Sequence, residues 1–169
     1  MAKLIILRGN SGSGKTMAAS MLQEKLGPNT MRISHDMVRM EILHVWSRKG
    51  VERSLPLMIE LLKYGRRNSE FTVMEGILPC PDYEPLFNAA LKEYGRENIF
   101  AYYYDISFEE TLRRHKTKPN RNDFGEEEMR RWWREKDYLK NISETIFGED
   151  LTLEDAVEKI YGDVFAANP

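Results

Sequence analysis

The sequence predicts an α/β fold in which a parallel sheet of about five strands is flanked by helices. Short apolar runs alternate along the chain with segments of helical hydrophobic spacing, an order typical of strand–helix–strand units. The first apolar run also leads directly into a glycine-rich loop and then into a helical pattern. With 169 residues, of which 41% are hydrophobic, the chain is long enough to bury a core and is expected to form one domain over residues 1–169.

Each strand is predicted from a short apolar run. Residues 4–7 are continuously apolar, as in strands that are buried on both faces of a parallel sheet. The other predicted strands are residues 31–34, 71–75, 99–104 and 145–147. Hydrophobic spacing and capping residues predict helices over residues 15–26, 37–46, 54 onward, 83–94, 107 onward, 126–138 and 152–165.

The loop after the first strand carries a phosphate-binding pattern. It matches G-x-x-x-x-G-K-[ST] in full, with Gly9, Asn10, Ser11, Gly12, Ser13, Gly14, Lys15 and Thr16. Glycines allow successive backbone N–H groups to wrap an anion, and the helix that follows adds the positive end of its dipole. Lys15 is therefore expected to reach the β- and γ-phosphates of ATP, and the Thr16 hydroxyl is expected to bind Mg²⁺.

Composition and charge restrict the function classes. A formal net charge of −2 argues against broad, non-specific nucleic-acid binding, although it leaves room for a small basic site. Cys80 is the only cysteine, so no intramolecular disulfide is expected. A reducing, cytoplasmic location is expected for the same reason. The N-terminal apolar run is too short for a signal peptide, and no segment reaches the ~18 apolar residues of a membrane span. The oligomeric state stays open.

The sequence lacks the motifs of two other classes of nucleotide-binding protein. The D-x-x-G and N-K-x-D patterns of guanine-nucleotide switches do not occur in the sequence. Asp123-Phe124-Gly125 resembles the magnesium motif of protein kinases, but it lies in a polar segment and the rest of the protein-kinase motifs are missing. A different kind of P-loop protein is therefore expected.

The residues after the second strand carry a resemblance to a known group. The phosphate loop followed by Ile33-Ser34-His35-Asp36-Met37-Val38-Arg39 resembles small P-loop kinases, which include phage polynucleotide 5′-kinase, chloramphenicol phosphotransferase, gluconate kinases and zeta-toxin sugar-nucleotide kinases. The resemblance implies a nucleoside-monophosphate-kinase-like P-loop fold. It also implies that Asp36 is the general base for the acceptor hydroxyl, with Arg39 completing a D-x-x-R pattern.

The chemistry of Asp36 and Arg39 agrees with this resemblance. A carboxylate near the γ-phosphate can orient an alcohol and accept its proton. Arg39, one helical turn further on, lies on the same face and is suited to bind a phosphate or carboxylate of the acceptor. The alternative for Asp36 is a plain helix N-cap. His35 is a further candidate to face the acceptor.

Glu75 and a basic lid segment complete the predicted site. In the resembling kinases an acid at the position of Glu75 helps to order Mg²⁺ or the acceptor, while the alternative is a buried acid paired inside the fold. A lid is expected at about residues 111–128, where Arg114, Lys118 and Arg121 are candidates to neutralise charge on the transferred phosphoryl group. Related kinases usually carry arginine at the position of Lys118, so the choice among the three cations stays open.

The leading interpretation is an ATP-dependent kinase that transfers the γ-phosphoryl group to a hydroxyl of a small molecule. One alternative is a polynucleotide 5′-hydroxyl kinase, for which Arg130-Arg131-Trp132-Trp133-Arg134 would supply stacking aromatics. The same segment also fits a core-facing stripe of Met129, Trp132 and Trp133 with the arginines outside. A second alternative is a nucleotide-dependent switch or regulatory ATPase without an acceptor.

Overall fold

Strands and helices alternate along the chain of the computed structural model, which describes residues 1–46, 49–117 and 122–166. The strands are β1 (Lys3–Gly9), β2 (Thr30–Ser34), β3 (Phe71–Gly76), β4 (Ile99–Tyr104) and β5 (Glu144–Phe147). The helices are α1 (Lys15–Leu26), α2 (Lys49–Asn68), α3 (Cys80–Tyr94), α4 (Phe108–His115), α5 (Glu126–Trp132) and α6 (Leu153–Ala166). A π-helical turn, Met37–Ile42, follows β2, and a 3-10 turn, Arg96–Asn98, precedes β4.

The five strands form one parallel sheet in the order β2-β3-β1-β4-β5. The central strand β1 pairs with β3 and β4, so that Ile6 lies between Met74 and Ala101. Because all strands run in one direction, their carboxyl ends meet at a single edge, where α/β proteins bind ligands. Ser34 pairs with Glu75 at this edge. The predicted fold class is confirmed.

Helices cover both faces of the sheet. Leu4 and Ile6 of β1 point into a core shared with α2 and α3, while Ile5 and Leu7 point into a core shared with α1 and α6. All four side chains are fully buried. This explains why the strand is apolar throughout instead of alternating. No helix in the described part of the chain is both long and apolar enough to cross a lipid bilayer.

Several helix boundaries differ from the predicted ones. α2 begins at Lys49, and Ser54, predicted as its cap, is a fully buried residue inside it. α5 ends at Trp132 instead of residue 138, because the backbone of Trp133 is extended (φ −57°, ψ 133°). The next amide, that of Arg134, donates to a side chain of the phosphate loop instead of to a helical carbonyl. Of the helix predicted over residues 37–46, the described residues form only the π-helical turn to Ile42.

Candidate active site

The phosphate loop packs directly against the helices that flank the predicted lid. Gly12 has a left-handed backbone with φ +85°. A Cβ atom at this position would lie 2.7 Å from the carbonyl oxygen of Thr111 in α4 and 3.3 Å from a side-chain carbon of Met129 in α5. Any side chain would therefore push these helices away, so glycine is needed for this close approach as well as for its φ angle.

Lys15 lies at the first position of α1, as predicted, and its side chain folds back over the loop. Its Nζ atom donates a hydrogen bond to the carbonyl oxygen of Asn10 at 2.9 Å. The side chain is 6% exposed. The ammonium group is therefore held over the loop that the sequence predicts to wrap phosphates, next to the N-terminal amides of α1.

Thr16 and Glu75 bring together the oxygen atoms of the predicted magnesium site. The Thr16 hydroxyl donates to a Glu75 carboxylate oxygen at 3.1 Å, and Glu75 is 3% exposed. A hydroxyl and a carboxylate fit Mg²⁺, which in nucleotide enzymes takes one or two protein oxygens and completes its shell with phosphates and water. Among the described residues, no group of three or more His, Cys, Asp or Glu side chains is arranged to hold a metal ion.

Asp36 follows β2 and presents its carboxylate to solvent, with a side chain that is 65% exposed. It makes no side-chain capping hydrogen bond to the π-helical turn, so the N-cap alternative has no support. Desolvation acts to raise the pKa of Asp36, but the adjacent His35 side chain lowers it. The positive charges of Lys15 and Arg39 lower it further, so that the pKa lies below the ordinary 3.8. Asp36 is therefore ionised at neutral pH.

Arg39 lies between Asp36 and the first turn of α2. A Cβ atom at Gly50 would lie 2.6 Å from Nη2 and 2.7 Å from Nε of Arg39, so that the guanidinium fills the space left by the glycine. The π-helical turn and α2 together hold this cation close enough to affect the Asp36 carboxylate. Asp36 and Arg39 therefore interact electrostatically, and the role of Arg39 toward an acceptor stays a prediction.

Arg114 connects α4 to the phosphate loop. Its Nη1 atom donates to the carbonyl oxygen of Ser13 at 3.0 Å, and its Nη2 atom donates to that of Glu149, in the turn before α6, at 3.1 Å. Its Nε atom donates to Glu110 at 2.7 Å. Hydrogen bonds from Arg113 and Arg114 lower the pKa of Glu110 to about 2. The first predicted lid cation therefore lies at the loop and is oriented by a carboxylate.

The other two predicted lid cations, Lys118 and Arg121, lie outside the described residues. The structure instead places the backbone of Arg134 on the phosphate loop. The Asn10 amide donates to the carbonyl oxygen of Arg134 at 2.7 Å and accepts from its N–H group at 2.8 Å. The motif leaves the residue at Asn10 unspecified, and the two positions are 124 residues apart. Sequence reasoning therefore missed this contact.

Arg8, at the end of β1 beside the loop, is a fully buried residue that sequence reasoning also missed. Its Nε and Nη2 atoms donate to the carbonyl oxygen of Leu78 at 3.2 and 3.0 Å. The guanidinium also forms ion pairs with Asp137 at 2.8 Å and Glu144 at 2.9 Å. Arg8 thus fixes the turn after β3 and the segment between α5 and β5 to the central strand. In the sequence it only marks the end of an apolar run.

The Arg130–Arg134 cluster does not form the stripe predicted from its spacing. Met129 is buried, but Trp132 is 41% exposed, so the expectation of a core-facing Trp132 is wrong. Arg130 and Arg131 each donate to a glutamate three or four residues earlier on α5. These arginines are therefore already engaged on an exposed helix face.

Solved structures share this architecture. A protein designated APE1195 has a TM-score of 0.73 at 20% identity, with 99% of this chain and 97% of that chain covered. A gluconokinase from Sinorhizobium meliloti 1021 has a TM-score of 0.66 at 14% identity, covering 97% and 92%. An APS kinase from Mycobacterium tuberculosis, in complex with AMPPNP and APS, has a TM-score of 0.64 at 16% identity, covering 98% of both chains. Identities this low show the shared fold alone.

Sequence comparison is informative at the level of the family. No curated protein sequence matches the chain. The family model described as zeta toxin matches residues 2–132, which is well over half of the 169 residues and includes the phosphate loop, Asp36, Glu75 and Arg114. The resemblance inferred from the loop and from the D-x-x-R pattern is thereby confirmed. The chain belongs to the zeta toxin family of P-loop kinases.

Proposed function

We propose that this protein transfers the γ-phosphoryl group of ATP to a hydroxyl group of a small molecule, and that Asp36 accepts the hydroxyl proton. ATP would be held by the phosphate loop, residues 9–16, with Lys15 at its phosphates. Thr16 and Glu75 would contribute oxygen ligands to Mg²⁺, which supplies charge neutralisation at the phosphates when it is bound.

The observation that carries this proposal is that the phosphate loop with Lys15 follows β1 and Asp36 follows β2, so that the parallel sheet brings both residues to one edge. The ammonium of Lys15 is one cause of the lowered pKa of Asp36, although the two residues follow different strands. A cation for the phosphates and an ionised base therefore share one small region at the carboxyl edge of the sheet. This is the arrangement that in-line phosphoryl transfer to an alcohol requires.

The proposed reaction forms one bond to the γ-phosphorus, breaks another and moves one proton. As the acceptor oxygen bonds to the γ-phosphorus, the bond from that phosphorus to the bridging oxygen of ADP breaks. The hydroxyl proton passes to the ionised Asp36 carboxylate, which later releases it to solvent. Arg114, which lies against the carbonyl of Ser13, is placed to neutralise charge that develops near the loop.

The names of the related structures support the proposal of a kinase, but they do not point to one acceptor. The names of two structures with this fold are those of a gluconokinase and an APS kinase, and the latter is bound to AMPPNP. The resemblance to zeta toxins adds sugar nucleotides to the acceptors worth testing. The engaged arginines of α5 weigh against the polynucleotide alternative, because they are paired with glutamates on their own helix.

ADP release in the presence of ATP and Mg²⁺ tests the proposal. The acceptor pools are nucleosides, sugars, sugar nucleotides, aminoglycosides and chloramphenicols, and short 5′-hydroxyl RNA. Stimulation of the wild type by a small-molecule pool is expected. Stimulation by RNA alone would support the polynucleotide alternative, and tight ATP binding without stimulation by any pool would favour a regulatory ATPase.

Variants separate nucleotide binding from base catalysis. Lys15→Ala is expected to abolish ADP release. Asp36→Asn is expected to lower the transfer rate by about 100-fold or more, in the range typical of general bases, with little change in ATP affinity. Glu41→Gln, which alters another exposed carboxyl after β2, is the matched control. Wild-type transfer by Asp36→Asn would exclude Asp36 as the base.

A further inference from the structure

A chain of buried polar groups leads from Asp36 into the interior of the protein. His35 is 3% exposed, and its Nδ1 atom lies 3.4 Å from the Asp36 carboxylate. Its Nε2 atom lies 2.5 Å from the hydroxyl of Tyr83. That hydroxyl lies 3.2 Å from the hydroxyl of Ser54, and both residues are fully buried. The groups come from the end of β2, from α3 and from α2, so tertiary structure alone brings them together.

The fold holds the His35 ring in one place. The ring packs edge-on against the Tyr83 ring, with centroids 5.0 Å apart and an interplanar angle of 89°. At the end of β3, a Cβ atom at Gly76 would lie 2.5 Å from Cβ of His35. The neighbouring strand therefore needs glycine at this position so that His35 can occupy its site.

With a neutral His35 ring protonated at Nδ1, the hydrogen-bonding capacities of these groups fit one orientation of the chain. An ionised Asp36 carboxylate can only accept hydrogen bonds, so attraction requires a proton on Nδ1 of His35. In a neutral ring Nε2 then carries a lone pair and accepts from the Tyr83 hydroxyl. The Tyr83 oxygen can then accept from Ser54, whose hydroxyl also lies 3.4 Å from the carbonyl oxygen of Val51. Nδ1 of His35 is buried and makes no hydrogen bond among the residues that the structure describes, and an Asp36 carboxylate oxygen lies 3.4 Å from it. Because buried polar groups are normally paired, this carboxylate is the partner that we assign to it.

We propose that His35 is a positioning residue that orients the Asp36 carboxylate through Nδ1–H, with its own tautomer fixed by Tyr83 and Ser54. The inference rests on the proposed role of Asp36 as base. The separation of 3.4 Å is longer than an ordinary hydrogen bond, and catalytic contacts of this kind often tighten when substrate binds. An oriented carboxylate keeps one oxygen directed at the acceptor, which raises the fraction of productive complexes.

Other charged groups also act on this chain. Lys15 and Arg39 act on Asp36 through their charges, while Asp82 acts on Tyr83 from α3. Glu75 ends the neighbouring strand β3, beside Gly76. Lys15 and Arg39 change the energy of the ionised carboxylate. The Nδ1 atom of His35 lies 3.4 Å from the carboxylate, so that an N–H group there is placed to select the carboxylate rotamer.

The tautomer can be measured without knowing the acceptor. Long-range ¹H–¹⁵N correlation spectra of ¹⁵N-histidine-labelled protein distinguish protons on Nδ1 and Nε2, and only His44 and His115 add further signals. A proton on Nδ1 of His35 at neutral pH is expected. A neutral ring protonated only at Nε2 would overturn the proposal. In Tyr83→Phe the Nε2-protonated form is expected to appear, because the donor to Nε2 is lost.

Two substitutions of His35 separate positioning from packing. The amide nitrogen of Asn overlies Nδ1 of histidine, and that of Gln overlies Nε2. With the acceptor pool that most stimulates ADP release, H35Q is expected to lower kcat about 10- to 100-fold, as expected for a misplaced catalytic group, while KM for ATP changes less than twofold. H35N is expected to retain most of kcat. Equal losses in folded H35N and H35Q would contradict positioning through Nδ1.

The two proposals fail in different ways. If Asp36→Asn transfers at the wild-type rate, the base assignment fails whatever tautomer His35 adopts. If Asp36→Asn is inactive while H35Q retains wild-type kcat, Asp36 remains the base and the positioning role is overturned. Melting temperatures of H35N and H35Q, measured beside the kinetics, show whether both variants are folded. If either is unfolded, the wild-type tautomer decides the question.

Discussion

The Thr16 hydroxyl, at the second position of α1, donates a hydrogen bond to the buried carboxylate of Glu75 at the end of β3. The contact spans two elements that are 59 residues apart in sequence. It fixes a hydroxyl and a carboxylate next to the phosphate loop, where both oxygens are suited to an ion that also contacts nucleotide phosphates. The two interpretations of Glu75, a buried acid paired inside the fold and a metal ligand, are therefore compatible. The hydrogen-bond partner of Glu75 is Thr16, which is itself a predicted metal ligand.

Glu75→Gln is expected to raise the Mg²⁺ concentration needed for half-maximal ADP release about tenfold, in the range found for groups that support a metal site. The amide removes the negative charge but keeps a hydrogen-bond acceptor for Thr16, so the fold is expected to be retained. A Mg²⁺ titration at saturating ATP measures the effect. Glu70→Gln, an exposed residue just before β3, is the control. A titration curve that coincides with the wild type would exclude Glu75 from the metal site.

Arg114 and Arg113 form a natural matched pair, because both are bonded to Glu110 but only Arg114 reaches Ser13 and Glu149. Arg114→Ala is expected to raise KM for ATP and lower kcat, since it removes a cation and a connection between α4 and the loop. Arg113→Ala, at a side chain that is 71% exposed, is expected to change neither. Steady-state kinetics with varied ATP measure both. Equal changes in KM and kcat in the two variants would show that the total positive charge of the lid, and not the contacts of Arg114, supports ATP binding and transfer.

Much of the fold was predictable because local pattern and tertiary structure agree. The run from Leu4 to Leu7 is apolar since both faces of β1 are covered, and α1 begins at Lys15 because the phosphate loop ends there. The early end of α5 has a non-local cause. α5 ends early because Asn10 takes up the amide of Arg134.

The candidate site was predictable where a motif specifies residue type and spacing. The loop and Asp36 follow strands and Glu75 lies at the end of β3, so parallel order alone places them at one edge. Arg8 could not be found in this way, since its partners Asp137 and Glu144 come from distant parts of the chain. The hydrogen-bond chain behind Asp36 was equally hidden. His35 is adjacent in sequence, but its orientation depends on Tyr83, 48 residues away.

Arg8→Met is expected to destabilise the protein by about 3–5 kcal/mol, as measured for buried ion pairs that lose one partner. The loss arises because Asp137 and Glu144 keep their charges without the guanidinium, and because the carbonyl of Leu78 loses two donors. Urea denaturation monitored by circular dichroism gives the free energy of unfolding.

A second variant tests whether uncompensated charge is the cause. Adding Asp137→Asn and Glu144→Gln to Arg8→Met removes both carboxylate charges and is expected to recover part of the lost stability. No recovery would assign the loss to packing and to the Leu78 carbonyl. Lys159→Ala, which breaks an exposed ion pair on α6, is expected to have a far smaller effect than Arg8→Met.

The pKa of Asp36 predicts how transfer and stability depend on pH. Because the pKa is lowered below 3.8, the base stays ionised through neutral pH, and its acid limb in kcat/KM is expected below that value. A depressed pKa in the folded state adds stability that is present above the unfolded pKa and is lost as pH falls through the folded one. The stability lost in Asp36→Asn is therefore expected to be constant near pH 7 and to shrink below about pH 3.8.

Arg39→Gln tests the cause of this lowered pKa. Removing one of the cations that act on Asp36 is expected to move its pKa upward, and with it the acid limb of kcat/KM. A ¹³C titration of the Asp36 carboxyl in labelled protein measures the shift without an acceptor. Arg53→Gln, an exposed arginine on α2, is expected to leave it unchanged. If the pKa of Asp36 is the same in Arg39→Gln and in the wild type, the low pKa arises from His35 and Lys15. Arg39 would then act only in binding the acceptor.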